Sequence, residues 1–166
     1  MKLFLSVTLL IFFAVLSFAQ DSTIEKNFER NKRNFSLVKF SIGEDASSGF
    51  DYLVYRQKTS TKKIRAIWSN YERVEIEDFY YENGKPLLLV KYSAKKSQYK
   101  SLAKGVNVAL KAEEKFYFSN SKLLTWTEKG KKIQPTDSRW AEKEKEVLAS
   151  FEEQLETFRS HLRGEL

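Results

Sequence analysis

Phe79-Tyr80-Tyr81-Glu82-Asn83-Gly84-Lys85-Pro86-Leu87-Leu88-Leu89-Val90 is the stretch that decides the fold. Two apolar, aromatic-rich runs flank Asn83-Gly84. A type I′ turn needs positive φ at both central positions, which Asn and Gly tolerate best. The pair therefore predicts a two-residue hairpin joining strands at 74–82 and 85–92. Upstream, Ser36-Leu37-Val38-Lys39-Phe40-Ser41-Ile42 alternates with period two and reads as a strand. Runs rich in Tyr, Ile, Val and Trp predict two more at 50–56 and 63–69. Downstream, Val106, Val108 and Leu110 alternate, which predicts a strand entering early and running to 119. Asn120-Ser121 reads as a second tight turn, with a return strand at 122–128. Residues 93–104 read as a basic loop and 130–135 as a basic connector.

The period then changes. Val147, Leu148, Phe151, Leu155, Phe158 and Leu162 recur at spacings of three and four, the stripe of an amphipathic helix over about 137–163. Such a helix spans about 40 Å, enough to cross a sheet. A coiled coil is the rival reading, but Glu144 interrupts the stripe between Trp140 and Val147. Ser22-Thr23-Ile24-Glu25 has the form of a capping box, and Ile24 and Phe28 share one face of a short N-terminal helix. The expected class is α+β: a meandering antiparallel sheet of about six to seven strands over about 35–128, packed by one long C-terminal helix.

The two tight hairpins repeat one another. Glu77, Phe79, Tyr80, Tyr81, Asn83 and Lys85 match Glu114, Phe116, Tyr117, Phe118, Asn120 and Lys122 at a constant offset of 37. With Pro86 taken as one extra residue, Leu87, Leu88 and Val90 then match Leu123, Leu124 and Trp126. Phe79-Tyr80-Tyr81-Glu82-Asn83-Gly84-Lys85 resembles the hairpin core of MORN-type repeats, modules associated with membrane or protein contact. The second copy has Ser121 in place of Gly84, and the regular period of that family is missing.

Hairpin register predicts which side chains share a face. A plain two-residue turn puts Phe79, Tyr81, Leu88 and Val90 on one side, with Phe116, Phe118 and Leu123. It puts Ile76, Tyr80, Leu87, Leu89, Tyr117, Leu124 and Trp126 on the other, interleaved with Lys91, Lys115 and Lys122. The helix is expected on the Phe-rich side. The Tyr/Trp/Lys side is then the candidate ligand surface, with Tyr80, Tyr117, Trp126, Lys91 and Lys115 as its binding residues: rings stack on sugars or apolar groups while ammonium heads meet anions. The same side chains can equally be core under a second layer, or a self-association surface.

The first residues speak of destination. Lys2, an apolar run from Leu3 to Leu16, and small residues at Ser17 and Ala19 have the layout of a secretory signal peptide over 1–19, cleaved after Ala19. An uncleaved anchor is the alternative, though the run is at the short end for a span. The expected mature chain is one α+β domain over 20–166, secreted or periplasmic, with no transmembrane span. It has no Cys, so it folds without disulfides or thiolate metal sites. Net charge is +7, falling to +6 without Lys2, because 22 acidic residues are interspersed among 29 basic ones. That balance suits solubility and tolerates an anionic partner surface.

Catalytic constellations are sparse. His161 stands alone near the end of the long helix and reads as surface. There is no HExxH, P-loop or GxGxxG. Glu75 and Glu77 share a strand face and are the candidate pair for a carboxylate-dependent hydrolase; cross-strand ion pairs are the simpler account. No cofactor or metal is expected, and export disfavours nucleic acid as a partner. The leading functional reading is an exported, non-catalytic binding module for an envelope protein, a glycan or a lipid head group. A small hydrolase and a homo-oligomeric envelope protein are the alternatives.

Overall fold

The computed structural model describes residues 23–43, 50–69 and 72–166. The proposed signal segment, and Ser22 of the capping box, lie outside them. Residues 1–34 and 35–166 form two compact units. Within the first, helix α1 spans 23–31, followed by a 3-10 turn at Lys32–Asn34.

The second unit is an eight-stranded antiparallel meander in strict sequence order. Its strands are β1 (Ser36–Ile42), β2 (Phe50–Gln57), β3 (Ser60–Ser69), β4 (Arg73–Glu82), β5 (Lys85–Lys95), β6 (Ala112–Ser119), β7 (Lys122–Glu128) and β8 (Lys131–Ile133). Helix α2 (Tyr99–Ala103) interrupts the β5–β6 connection, and α3 (Trp140–Arg163) closes the chain. The α+β meander with its C-terminal helix is as expected, with one strand more than the upper count. The extra strand is β8, whose three residues carry too little pattern to read. The early start foreseen for β6 does not occur. Its first partner is Tyr92 opposite Ala112, and residues 106–111 pair with no strand.

Three hairpins share one backbone device. In β2–β3, β4–β5 and β6–β7, a two-residue turn is followed by two pairs and then a register shift. The extra residues are Lys62, Leu87 and Leu124. Asn83 and Gly84 have φ of 52° and 76°, and Asn120 and Ser121 have 49° and 59°, so both predicted turns have the expected positive φ. The bulge keeps the duplication at offset 37 throughout. Tyr80↔Leu88 and Phe79↔Leu89 correspond to Tyr117↔Thr125 and Phe116↔Trp126, with Pro86 equivalent to Leu123 rather than inserted. The third copy, in β2–β3, places Tyr55 and Arg56 where the others have Tyr80/Tyr81 and Tyr117/Phe118.

Each bulge advances the returning strand by one residue, and a one-residue slip exchanges faces. This corrects the predicted sides. Phe79 now opposes Leu89, and Phe116 opposes Trp126, so Leu89 and Trp126 join the helix side, while Leu88 and Val90 leave it. The helix-side core comprises Val54, Ile64, Phe79, Tyr81, Leu89, Phe116, Phe118 and Trp126 under Val147, Phe151 and Phe158 of α3. Phe151 is fully buried and meets Phe79, Tyr81 and Phe118 edge-on, at centroid distances of 5.2, 5.3 and 5.7 Å. The Tyr81 hydroxyl donates to the Phe151 carbonyl at 3.1 Å. Glu144, which breaks the apolar stripe, accepts the Leu123 backbone N–H at 3.2 Å. The helix starts at Trp140, later than expected, because Asp137 first accepts the Arg139 N–H in a tight turn. Near the other end His161 is half-buried rather than plain surface. Its ring stacks 4.0 Å from Phe40, which stacks 4.7 Å from Tyr52.

Candidate functional site

The bulges divide the five predicted binding residues between two faces. Trp126 and Lys91 lie on the helix side; Tyr80, Tyr117 and Lys115 lie on the opposite side. Trp126 is 1% exposed and stacks on Phe116 at 5.8 Å, with Arg139 over its ring at 4.9 Å. Lys91 is half-buried and pairs with Glu77 across the strands at 2.9 Å. Burial by itself would lower the Lys91 pKa; the Glu77 carboxylate outweighs it and raises it. Glu75 pairs with Arg73. Both carboxylates of the candidate hydrolytic pair are thus engaged in ion pairs. Among the described residues, no group of three or more His, Asp or Glu side chains is placed to hold a metal ion.

The far face carries a row of side chains across six strands: Tyr55, Lys63, Tyr80, Leu88, Tyr117 and Thr125. All six are buried. The equivalent tyrosines of the three hairpins therefore lie in one line, with Lys63 between the first two. Next to this row sits a buried ionic cluster. The Asp78 carboxylate accepts Lys63 Nζ at 2.7 Å and the Arg65 guanidinium at 2.6 and 2.7 Å. Lys63 also donates to the Tyr80 hydroxyl at 3.0 Å and lies 4.6 Å from that ring's centroid. Burial alone would raise the Asp78 carboxyl; Lys63 and Arg65 overcome it and hold the group below its ordinary range. Arg65 is affected in the reverse sense: burial lowers its pKa, and Asp78 raises it above the ordinary value.

Sequence reasoning passed over this cluster. Its signal was present, because Lys63, Arg65 and Asp78 occupy inward positions of otherwise apolar strands. Over β2 and β3 the same face is capped by α2, whose Leu102 is fully buried. Lys39 Nζ donates to the Lys104 carbonyl at 2.7 Å just beyond. Tyr99 of α2 is pushed up to about 12, by burial and then by its hydrogen bond to Asp51.

The accessible chemistry collects at the end of the sheet where the tight turns lie. Between the tips of the twin hairpins is a cleft of about 250 Å³. Asn83, Lys85, Ser119 and Asn120 line it, with Tyr117 and Glu82 at its walls. Two amides, a hydroxyl, an ammonium, a carboxylate and a phenol provide donors and acceptors within one small concavity. Compared with known proteins, the chain matches no family model, no curated protein and no solved structure.

Proposed function

We propose that the protein is an exported, non-catalytic binding module that takes its ligand at the turn end of the sheet. The cleft between the twin hairpin tips carries this reading. Its polar lining hangs from turns held at both ends by paired strands, so its donors and acceptors are positioned before a ligand arrives. Amides, a hydroxyl and an aromatic edge in one concavity suit a hydroxyl-rich ligand, a glycan, better than a flat protein surface. The export part of the proposal rests on the pattern of residues 1–19.

The test is native mass spectrometry of the protein isolated undenatured from its own cells, beside a glycan-array screen. Expected are a mass for Gln20 to Leu166 and glycan binding that is lost in a Lys85→Ala/Asn120→Gly double variant, in which glycine keeps the positive φ of position 120. Binding that survives the double variant would remove the cleft from the proposal. An uncleaved mass would overturn export.

A further inference from the structure

Arg56, Tyr81 and Phe118 occupy one structural position in three hairpins: the pair next to the turn-closing pair, on the helix side of the bulge. At two of them the fold places an aromatic ring against Phe151. At the third it places a guanidinium. Arg56 Cζ lies 5.5 Å from the centroid of the Phe158 ring, and its Nε is buried without a hydrogen-bond partner among the described residues. A buried donor left unpaired is costly, and more so on a charged group.

Beside Arg56 opens a cavity of about 290 Å³, between the β2–β3 tip and the last turns of α3. Thr59, Ser60 and Thr61 line it, with Thr61 opposite Arg56 on the same face, and Arg159 adds a second guanidinium. Leu155, Phe158 and Leu162 form its apolar wall. Among the described residues, no acidic one lines it. Arg159 is partly answered by Glu156, 3.4 Å away outside the cavity. The volume lies at the small end of ligand sites, where one head group and a few carbons fit. Leu162 is half exposed, so the apolar wall continues outward to the surface.

We propose that this cavity binds an anionic amphiphile: an oxyanion head, carboxylate or phosphate ester, on an apolar chain. The head meets the Arg56 fork and the hydroxyls of Thr59, Ser60 and Thr61, and the chain lies along Leu155, Phe158 and Leu162. Charge-assisted bonds to a planar guanidinium suit either head group. The cavity shares no lining residue with the twin-tip cleft, and the two adjoin at one turn, where Gly84 lines the cavity and Asn83 and Lys85 line the cleft.

The experiment is calorimetric titration of the purified protein with octyl phosphate, octanoate, octanol and inorganic phosphate. Octyl phosphate is expected to bind, with octanol and inorganic phosphate much weaker, because head and chain act together. Arg56→Gln is expected to weaken octyl phosphate about tenfold or more. If that variant does not fold, as judged by circular dichroism, Arg159→Gln on the exposed helix face takes its place and should weaken binding several-fold. Failure of both octyl phosphate and octanoate to bind, or undiminished binding to the folded variants, overturns the proposal. Co-sedimentation with phosphatidylcholine vesicles that depends on added phosphatidylglycerol and on Arg56 would assign the head to a membrane lipid. Binding of the soluble amphiphiles without co-sedimentation would assign it to a free ligand.

Discussion

The two faces of this sheet are held together by different physics. On the helix side, Phe79, Tyr81, Phe116, Phe118 and Trp126 interlock with α3, and the stabilisation is non-directional burial. On the far side, one carboxylate, Asp78, serves two cations and lies beside a row containing three tyrosines. Burial of that carboxylate is complete, so its stability depends on geometry and partner count rather than on area. The comparison teaches that one meander can close one face mainly with interlocking aromatics and hold a fully buried carboxylate between two cations, among apolar neighbours such as Ile76 and Leu88, on the other.

Three substitutions sharpen the contrast. Phe151→Ala should have the largest effect. It leaves a cavity where three aromatic edges converged, costing about 3–5 kcal/mol for truncation and about 0.5–1.5 kcal/mol for each aromatic pair. Denaturant unfolding measures it, and a loss below about 1 kcal/mol would mean that α3 does not seal the core. Asp78→Asn comes next, at about 3–5 kcal/mol, because it removes one partner of a buried ion pair. It also carries a pH signature. A carboxyl held low in the folded state contributes stability above its unfolded pKa, about 3.9, and loses it as pH falls through the folded value. Wild type should therefore weaken in that acid range, while the Asn variant should show a flatter acid limb. Equal slopes would show that the cluster is not the source. Leu124→Ser should do least, within about 0.5 kcal/mol, because the extra residue of the β6–β7 bulge is half exposed. A larger loss would mean that the bulge residue is packed.

Much of the fold was legible from a few residues. Asn83-Gly84 set one turn, the offset of 37 found its twin, and the three-four spacing from Val147 to Leu162 found the helix. The bulges were not legible. A residue count cannot distinguish a plain two-residue hairpin from one that slips after its second pair, and that slip moved Trp126 and Leu89 under the helix. A polar turn was expected over 57–62, but its likeness to the other two hairpins escaped notice because Lys58-Thr59 lacks turn chemistry, although Lys58 adopts φ of 56°. Of the candidate site, Tyr117 was named in advance. The rest of the twin-tip cleft comes from turns whose meeting depends on the order of strands. Asp78 went unread because a carboxylate within an apolar strand has no partner in sequence; Lys63 and Arg65 come from the neighbouring strand.

The strict order of the eight strands also sets an order of assembly. Every ladder joins neighbours along the chain, so each strand can pair as soon as it follows its predecessor, with little loop to close. The lid is different. Residues 140–163 come after the whole sheet, and until they arrive Phe79, Phe116 and Phe118 have no roof. A chain made or threaded from its first residue therefore passes through a stage in which the sheet is built and its aromatic side is bare. The last stretch of the sequence decides whether that stage is brief.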